Sequence, residues 1–272
     1  MSKLLNVSSS PHVRCGVSTK NLMYDVAIAM LPATIWGVMQ FGIYSLIVVV
    51  ATVLSCVLSE YLFETLMHKP VTISDGSALV TGMILGLNMP PAIPLWMPIL
   101  GGVFAIIVVK QLYGGLGQNW MNPALAARCF MLISFAQAMT QFSEPGTDAI
   151  ASATPLAEIK AGGTYDLAAM FIGKIPGTIG EVSVIALLIG AAYLLVKKVI
   201  TIRIPAAYIL SFAVFAFIFG QHNINYVLAE VCGGGLIFGA FFMATDYVTS
   251  PITAKGQIVF GICLGILTGL FR

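Results

Sequence analysis

Long apolar runs divided by short polar punctuation make up most of the chain. They fall at 22–41, 44–62, 77–89, 96–111, 122–139, 180–196, 204–219, 231–245 and 256–271. A bilayer core of about 30 Å takes about 20 apolar residues of helix, and every peptide group within it must be paired inside its own segment. The pattern therefore predicts an all-α polytopic membrane protein of about nine spans. Two runs are unusually short: the third, closed by Asn88, Met89, Pro90 and Pro91, and the eighth, closed by Thr245, Asp246 and then Pro251.

The short runs resemble each other. Laying Leu79–Gly82 over Leu236–Gly239 brings Asn88 onto Thr245 and both runs into a proline-containing stop. The third span runs outward and the eighth inward, the signature of an inverted repeat whose short or broken helices meet near the midplane and form a binding site. Residues 22–140 then hold five spans of a first repeat. Residues 180–272 hold only four of a second, so its last helix is expected to be lacking here. An arm at 1–21 precedes the first repeat, and a polar loop at 141–179 divides the two.

Composition narrows the class further. The chain is 58% hydrophobic and 9% charged with a mean hydropathy of +0.96, which excludes a soluble enzyme. A net charge of +2 with scattered basic residues excludes a nucleic-acid partner. The first run is longer than a signal-peptide core of about 7–15 residues and lacks an Ala-x-Ala exit, so it reads as a retained helix. The single cysteines Cys15, Cys56, Cys129, Cys232 and Cys263 read as small buried hydrophobes, and no metal site is expected from them, although one shared with another subunit stays open.

Charge sets the orientation. With the amino terminus in the cytoplasm, Lys3, Arg14, Lys20, Lys69, Lys110, Lys197, Lys198, Arg203 and Lys255 fall on the cytoplasmic side, as the positive-inside rule requires. The 141–179 loop, with Glu144, Asp148, Glu158 and Asp166 against Lys160 and Lys174, falls outside.

Several polar residues within or beside the spans are candidates for chemistry. Arg128 lies inside the fifth span shortly after Asn122 and Pro123; an intramembrane charge marks a site, or a structural partner for a buried acid or carbonyl. Asp246 beside Thr245, and Asp75 before the third span, read either as helix caps or as neighbours of a ligand or ion path, together with Asn88. Asp25, Glu60 and Glu64 read as solvated or capping residues. The clusters Gly114, Gly115, Gly117 and Gly233–Gly235 are not nucleotide loops, having no strand before them, and read as close helix packing. In the long loop, Thr154 followed by Pro155 and Leu156–Ile159 is a helix start, whose free N–H groups would also hold a phosphate on the threonine hydroxyl.

The run Asp148–Thr154 resembles a flavinylation motif, Asp-x-x-Ser/Thr-Gly-Ala-Thr. The motif belongs to the family that includes the D-type membrane component of the Rnf ion-translocating oxidoreductase and the B-type component of the sodium-pumping NADH:quinone reductase. Asp148, Ala153 and Thr154 match; Ala151 stands where the motif has Ser or Thr, and Ser152 where it has Gly. The likeness extends to Ser74–Ser77, Asn119–Arg128 and Phe242–Thr253, and the short amino terminus is closer to the D-type members. The resemblance implies FMN joined through its phosphate to Thr154, with Asp148, Ser152 and Ala153 around it and Arg128 and Asn122 as further candidates. It implies riboflavin held without a covalent bond, ten spans in the full family fold, and residence in the bacterial inner membrane. Implied partners are a covalent-flavin G-type subunit, membrane A and E types and cytoplasmic B and C types. The activity implied is electron transfer between ferredoxin and NAD coupled to Na+ or H+ movement. Residues alone leave open a non-redox inverted-repeat solute transporter or channel, and an assembly subunit.

Overall fold

The computed structural model describes residues 18–143, 150–151, 166–220 and 222–272. Twelve helices follow one another: α1 Thr19–Phe41, α2 Ile43–Leu66, α3 Ser77–Leu87, α4 Trp96–Val103, α5 Pro123–Ser134, α6 Ala136–Met139, α7 Leu167–Ile172, α8 Val184–Val196, α9 Arg203–Phe219, α10 Ile224–Cys232, α11 Leu236–Phe238 and α12 Ala254–Phe271. α4 continues as a π-helix, Phe104–Lys110, and a 3₁₀ turn, Gln111–Tyr113. α11 likewise continues as a π-helix, Gly239–Met243. Among the described residues the departure from helix is a single antiparallel pair, β1 Phe142–Ser143 with β2 Ile150–Ala151.

Helix starts follow their capping residues. Ser18 Oγ accepts from Asn21 N–H to open α1. Asn122 Oδ1 accepts from the N–H groups of Ala124 and Leu125, with Pro123 at the first helical position of α5.

Among the described residues four helices are long and apolar enough to cross a membrane: α1, α2, α4 taken through Tyr113, and α12. α10 and α11, bent by 64° at their junction, make a fifth if counted as one broken span. α3, α5, α8 and α9 are shorter apolar helices. Each expected run thus has its helix, but two differ in form. The run at 122–139 breaks at Phe135, whose φ of −133° and ψ of 47° leave the helical region. The run at 231–245 is the second arm of a pair that begins at Ile224.

The glycine clusters are also not the packing surfaces expected. Gly233–Gly235 is the break itself, with Gly235 at φ +70°, and Gly114, Gly115 and Gly117 form the positive-φ turn between α4 and α5. Left-handed backbone is costly for residues with a Cβ, so these glycines shape chain reversals rather than helix contacts.

Close packing falls to other glycines. Gly82 and Gly86 of α3 lie on the backbone of Val53 and Val49 in α2, and Gly261 and Gly265 of α12 lie on Ala207 and Ser211 in α9. In a bilayer, where lipid tails offer helices no hydrophobic drive to associate, such close approach supplies the dispersion contact. A serine hydroxyl reaching the backbone of the neighbouring helix adds to two of the helix pairs. Ser55 of α2 donates to Ile99 O of α4 at 2.7 Å, and Ser211 of α9 donates to Gly261 O of α12 at 3.5 Å.

The halves join at several places. Gly190 of α8 lies against Ala29 of α1. At the far end of the bundle, Ile179 and Gly180 donate their N–H groups to Met89 O and Leu87 O, supplying partners for carbonyls that the end of α3 leaves open.

Candidate functional site

At the near end, where α1 and α3 begin and α4 finishes, the bundle encloses a cavity. About 110 Å³ is accessible to the centre of a water molecule, within about 860 Å³ of unfilled space that includes the mouth. Its wall is mainly apolar, from Val80, Ile84, Leu194, Phe241 and Phe242, with Ser77, Lys110, Asn119, Asn122, Thr245 and Asp246 as polar members. Apolar walls with a few convergent polar groups are the usual form of a small-molecule site.

Most of the polar members are held in place. Thr245 Oγ1 donates to Phe241 O at 2.7 Å. Asp246 accepts from Thr249 Oγ1 and the Val248 N–H, and burial pushes its carboxyl above the ordinary value while those two bonds pull it down. Asn119 Nδ2 donates to Met121 O. Among the described residues, Asn119 Oδ1 and Asn122 Nδ2 take part in no hydrogen bond, which leaves one acceptor and one donor for an occupant.

Of the residues singled out from the sequence, Asp246, Thr245 and Asn122 therefore come together. Asp75 is not in the wall but accepts from the N–H and Oγ of Ser77, which is, so its capping role and the cavity are linked. Asn88 lies elsewhere, fully buried and bonded through its Nδ2 to Ile84 O.

Asn88 belongs to a second cluster. Arg128 donates to Asn88 Oδ1 and, at 2.8 Å, to Glu181 Oε1, which adjoins the left-handed Gly235 at the helix break. Arg128 thus has an acid partner and a buried amide oxygen, as its structural reading requires, tying α3 and α5 to the second half. A similar device sits on the other side of the break. Arg272 donates to Glu230 O, Gly233 O and Gly234 O, carbonyls left open where α10 ends.

Glu60 and Glu64 are not solvated, contrary to expectation. Both are buried, Glu60 completely. Lys110 Nζ donates to Glu60 Oε1 at 2.6 Å and to Ser77 Oγ at 2.6 Å; Gln111 Nε2 bridges Glu60 and Glu64; and Thr72 donates both its N–H and its hydroxyl to Glu64. Pairing makes such burial tolerable, since a lone buried charge costs several kcal/mol. Asp25 accepts from Tyr193 Oη at 2.8 Å and lies partly exposed, nearer to its reading. Of the cysteines, Cys56 is buried but Cys129 and Cys263 are exposed, on faces turned away from the protein core.

Asp148, Ser152, Ala153 and Thr154 lie outside the described residues. The family of the chain is established by comparison. The NQR2, RnfD, RnfE family matches it over residues 6–272. The chain belongs to that family. It is 47% identical, over 98% of its length and 85% of the relative's, to the D component of the Na(+)-translocating ferredoxin:NAD(+) oxidoreductase complex of Acetobacterium woodii. It is 41% identical, over 99% and 86%, to the D component of the proton-translocating ferredoxin:NAD(+) oxidoreductase complex of Clostridium ljungdahlii. The D component of the ion-translocating oxidoreductase complex of Methanosarcina acetivorans is 35% identical over 97% and 84%. Membership in the NQR2, RnfD, RnfE family agrees with the resemblance carried by Asn119–Arg128 and Phe242–Thr253. The first of these segments supplies both asparagines of the cavity and Arg128, and the second supplies Phe242, Thr245 and Asp246.

Sequence reasoning missed Glu181, Glu230 and the inward Lys110. Glu181 and Glu230 each adjoin an apolar run, a signal that an intramembrane acid needs a cation. Lys110 reads in the sequence only as a cytoplasmic charge at the end of the fourth run, although helical spacing from Gly101 and Gly102 through Ala105, Ile106 and Val109 sets it on the buried face.

Proposed function

We propose that the chain is the D-type membrane subunit of an Rnf-type complex, coupling electron transfer between ferredoxin and NAD to movement of Na+ or H+. The observation that carries this reading is the 47% identity to such a subunit along 98% of the chain. Its other subunits would be a covalent-flavin G-type protein, membrane A and E types and cytoplasmic B and C types. The chain resides in the bacterial inner membrane with its amino terminus in the cytoplasm and the 141–179 loop outside. The helices form nine spans in two inverted repeats. Support for the repeat comes from Asn88 and Thr245, which stand at equivalent positions and each bond the carbonyl four residues back.

FMN esterified to Thr154 would leave its ring free to carry electrons while tethered to the outer loop. The near-end cavity is the site of a second, non-covalent flavin. Its donor set suits the group: Asn119 Oδ1 and Asn122 Nδ2 complement a ring edge that offers both an N–H and a carbonyl, and Phe241, Phe242, Val80 and Ile84 exclude water around a flat apolar ring. Thr245 and Asp246 complete the polar part of the wall, and Asp75 orients Ser77.

Ultraviolet illumination of a denaturing gel of the complex tests the ester. A fluorescent band at the mass of this subunit, absent in Thr154→Val, is expected. A dark parental band from a host that has the flavin transferase overturns the assignment.

A further inference from the structure

Among the described residues, the near-end cavity has one basic residue in its wall, Lys110. It closes a buried face, Pro98, Gly101, Gly102, Ala105, Ile106 and Val109, that repeats at steps of three and four residues from α4 into the π-helix Phe104–Lys110. Such π segments are frequent at functional sites.

The ammonium is fixed rather than mobile. Two of its three N–H donors are taken by Glu60 Oε1 and Ser77 Oγ, both at 2.6 Å, and Lys110 is 2% exposed. Glu60 is in turn held by Gln111, and Ser77 by Asp75. Among the described residues the third N–H has no acceptor, while the side chain and Ser77 both line the cavity. A buried donor that is charged, oriented and unused is a demanding group to leave without a partner.

We infer that Lys110 is a redox-tuning contact for the ring held in this cavity, its free N–H directed at a ring heteroatom and its positive charge favouring the electron-loaded state. This rests on the reading of the cavity as a flavin site. The physical basis is electrostatic: reduction adds negative charge to the ring, and a preorganised ammonium in a dry, low-dielectric wall stabilises that charge without reorganisation. The donor of the electrons is the preceding redox centre of the complex, and Lys110 contributes its charge and a hydrogen bond without entering the electron path. Glu60 and Ser77 act through Lys110 and are positioning residues.

The test uses the assembled complex. Non-covalent flavin is released by acid and counted by chromatography, and its midpoint potential is followed by difference spectroelectrochemistry. Lys110→Gln keeps hydrogen-bonding capacity toward Glu60 and Ser77 but removes the charge. It is expected to retain the flavin and to lower the reduced-to-oxidised ratio at a given potential at least tenfold, about 30 mV for a two-electron couple. Lys110→Arg, which keeps the charge, is expected to stay within about threefold of the parent, well under the roughly 30 mV that a tenfold change represents. Loss of one flavin equivalent from Lys110→Gln but not from Lys110→Arg also supports the contact. An unchanged midpoint in Lys110→Gln at parental flavin content overturns it, as do equal shifts in both variants. Asn119→Leu separates the underlying reading: if it releases as much flavin as the parent, the cavity is not the flavin site. Should Lys110→Gln fail to assemble, E60Q/K110Q removes the orphaned carboxylate and is read in the same way.

Discussion

Arg128→Met removes a guanidinium that holds two groups at once. Asn88 Oδ1 loses its donor inside a residue that is 1% exposed, and the Glu181 carboxylate, 10% exposed, loses its counter-charge. Breaking a buried pair from one side costs about 3–5 kcal/mol because the surviving charge has no partner. The Arg128 side chain is 34% exposed, so solvent screens part of the interaction. The lower end is therefore expected, about 3 kcal/mol, which at about 2–4 °C per kcal/mol for a chain of this size lowers the melting midpoint by roughly 6–12 °C. Thermal unfolding of the detergent-solubilised protein, followed by circular dichroism, measures this. The diagnostic element is the second substitution. Glu181→Gln placed on Arg128→Met removes the stranded charge and should recover about 1–2 kcal/mol, a coupling typical of residues in one network. An Arg128→Met protein within about 0.5 kcal/mol of the parent, or a double variant with no recovery, would refute the claim that this pair holds the two halves together.

Asp246→Asn should be indistinguishable in stability from the parent at low pH and progressively more stable as pH rises. Burial raises the folded carboxyl above its ordinary value of 3.8, so the stabilising proton is fully bound below that value and is lost as pH climbs through the raised one; parallel melting curves across pH check the sign. Gly235→Ala puts a Cβ at φ +70° and into the Glu181 carboxylate, and should lower the melting midpoint through strain of about 1–2 kcal/mol at that residue, more where Glu181 must also move. Gly239→Ala meets open space and should leave the midpoint unchanged; equal losses at both positions would show that the break is not conformationally specified. Thr154→Val should abolish the fluorescent gel band while leaving non-covalent flavin in place, since none of the described residues lining the cavity belongs to that loop; joint loss of both flavins would argue against two separate sites.

Periodicity was a sound guide to where helices lie because apolar length is a local property. All nine runs hold a helix, and the Asn122–Pro123 cap marks the start of α5 as its residue types require. The motif segments were equally local, and Asn122, Thr245 and Asp246 meet at one cavity although two of them are far from the first in sequence. Glu60 and Glu64 were misread for the opposite reason. Their burial depends chiefly on Lys110 and Gln111, which lie on a separate segment far along the chain, and is completed by Thr72 just beyond α2.

The sequence by itself determined a membrane protein, the order of its apolar helices, its family, and the threonine expected to bear a flavin. These follow from composition, segment length and short motifs, quantities that do not depend on what packs against what. Tertiary structure alone decided that Gly233–Gly235 is a helix break, that Arg128 answers Glu181 and Asn88, and that Lys110 meets Glu60 and Ser77 at the cavity wall. Each of those depends on segments distant in the chain. Its free energy arises only once burial has removed water as the alternative partner.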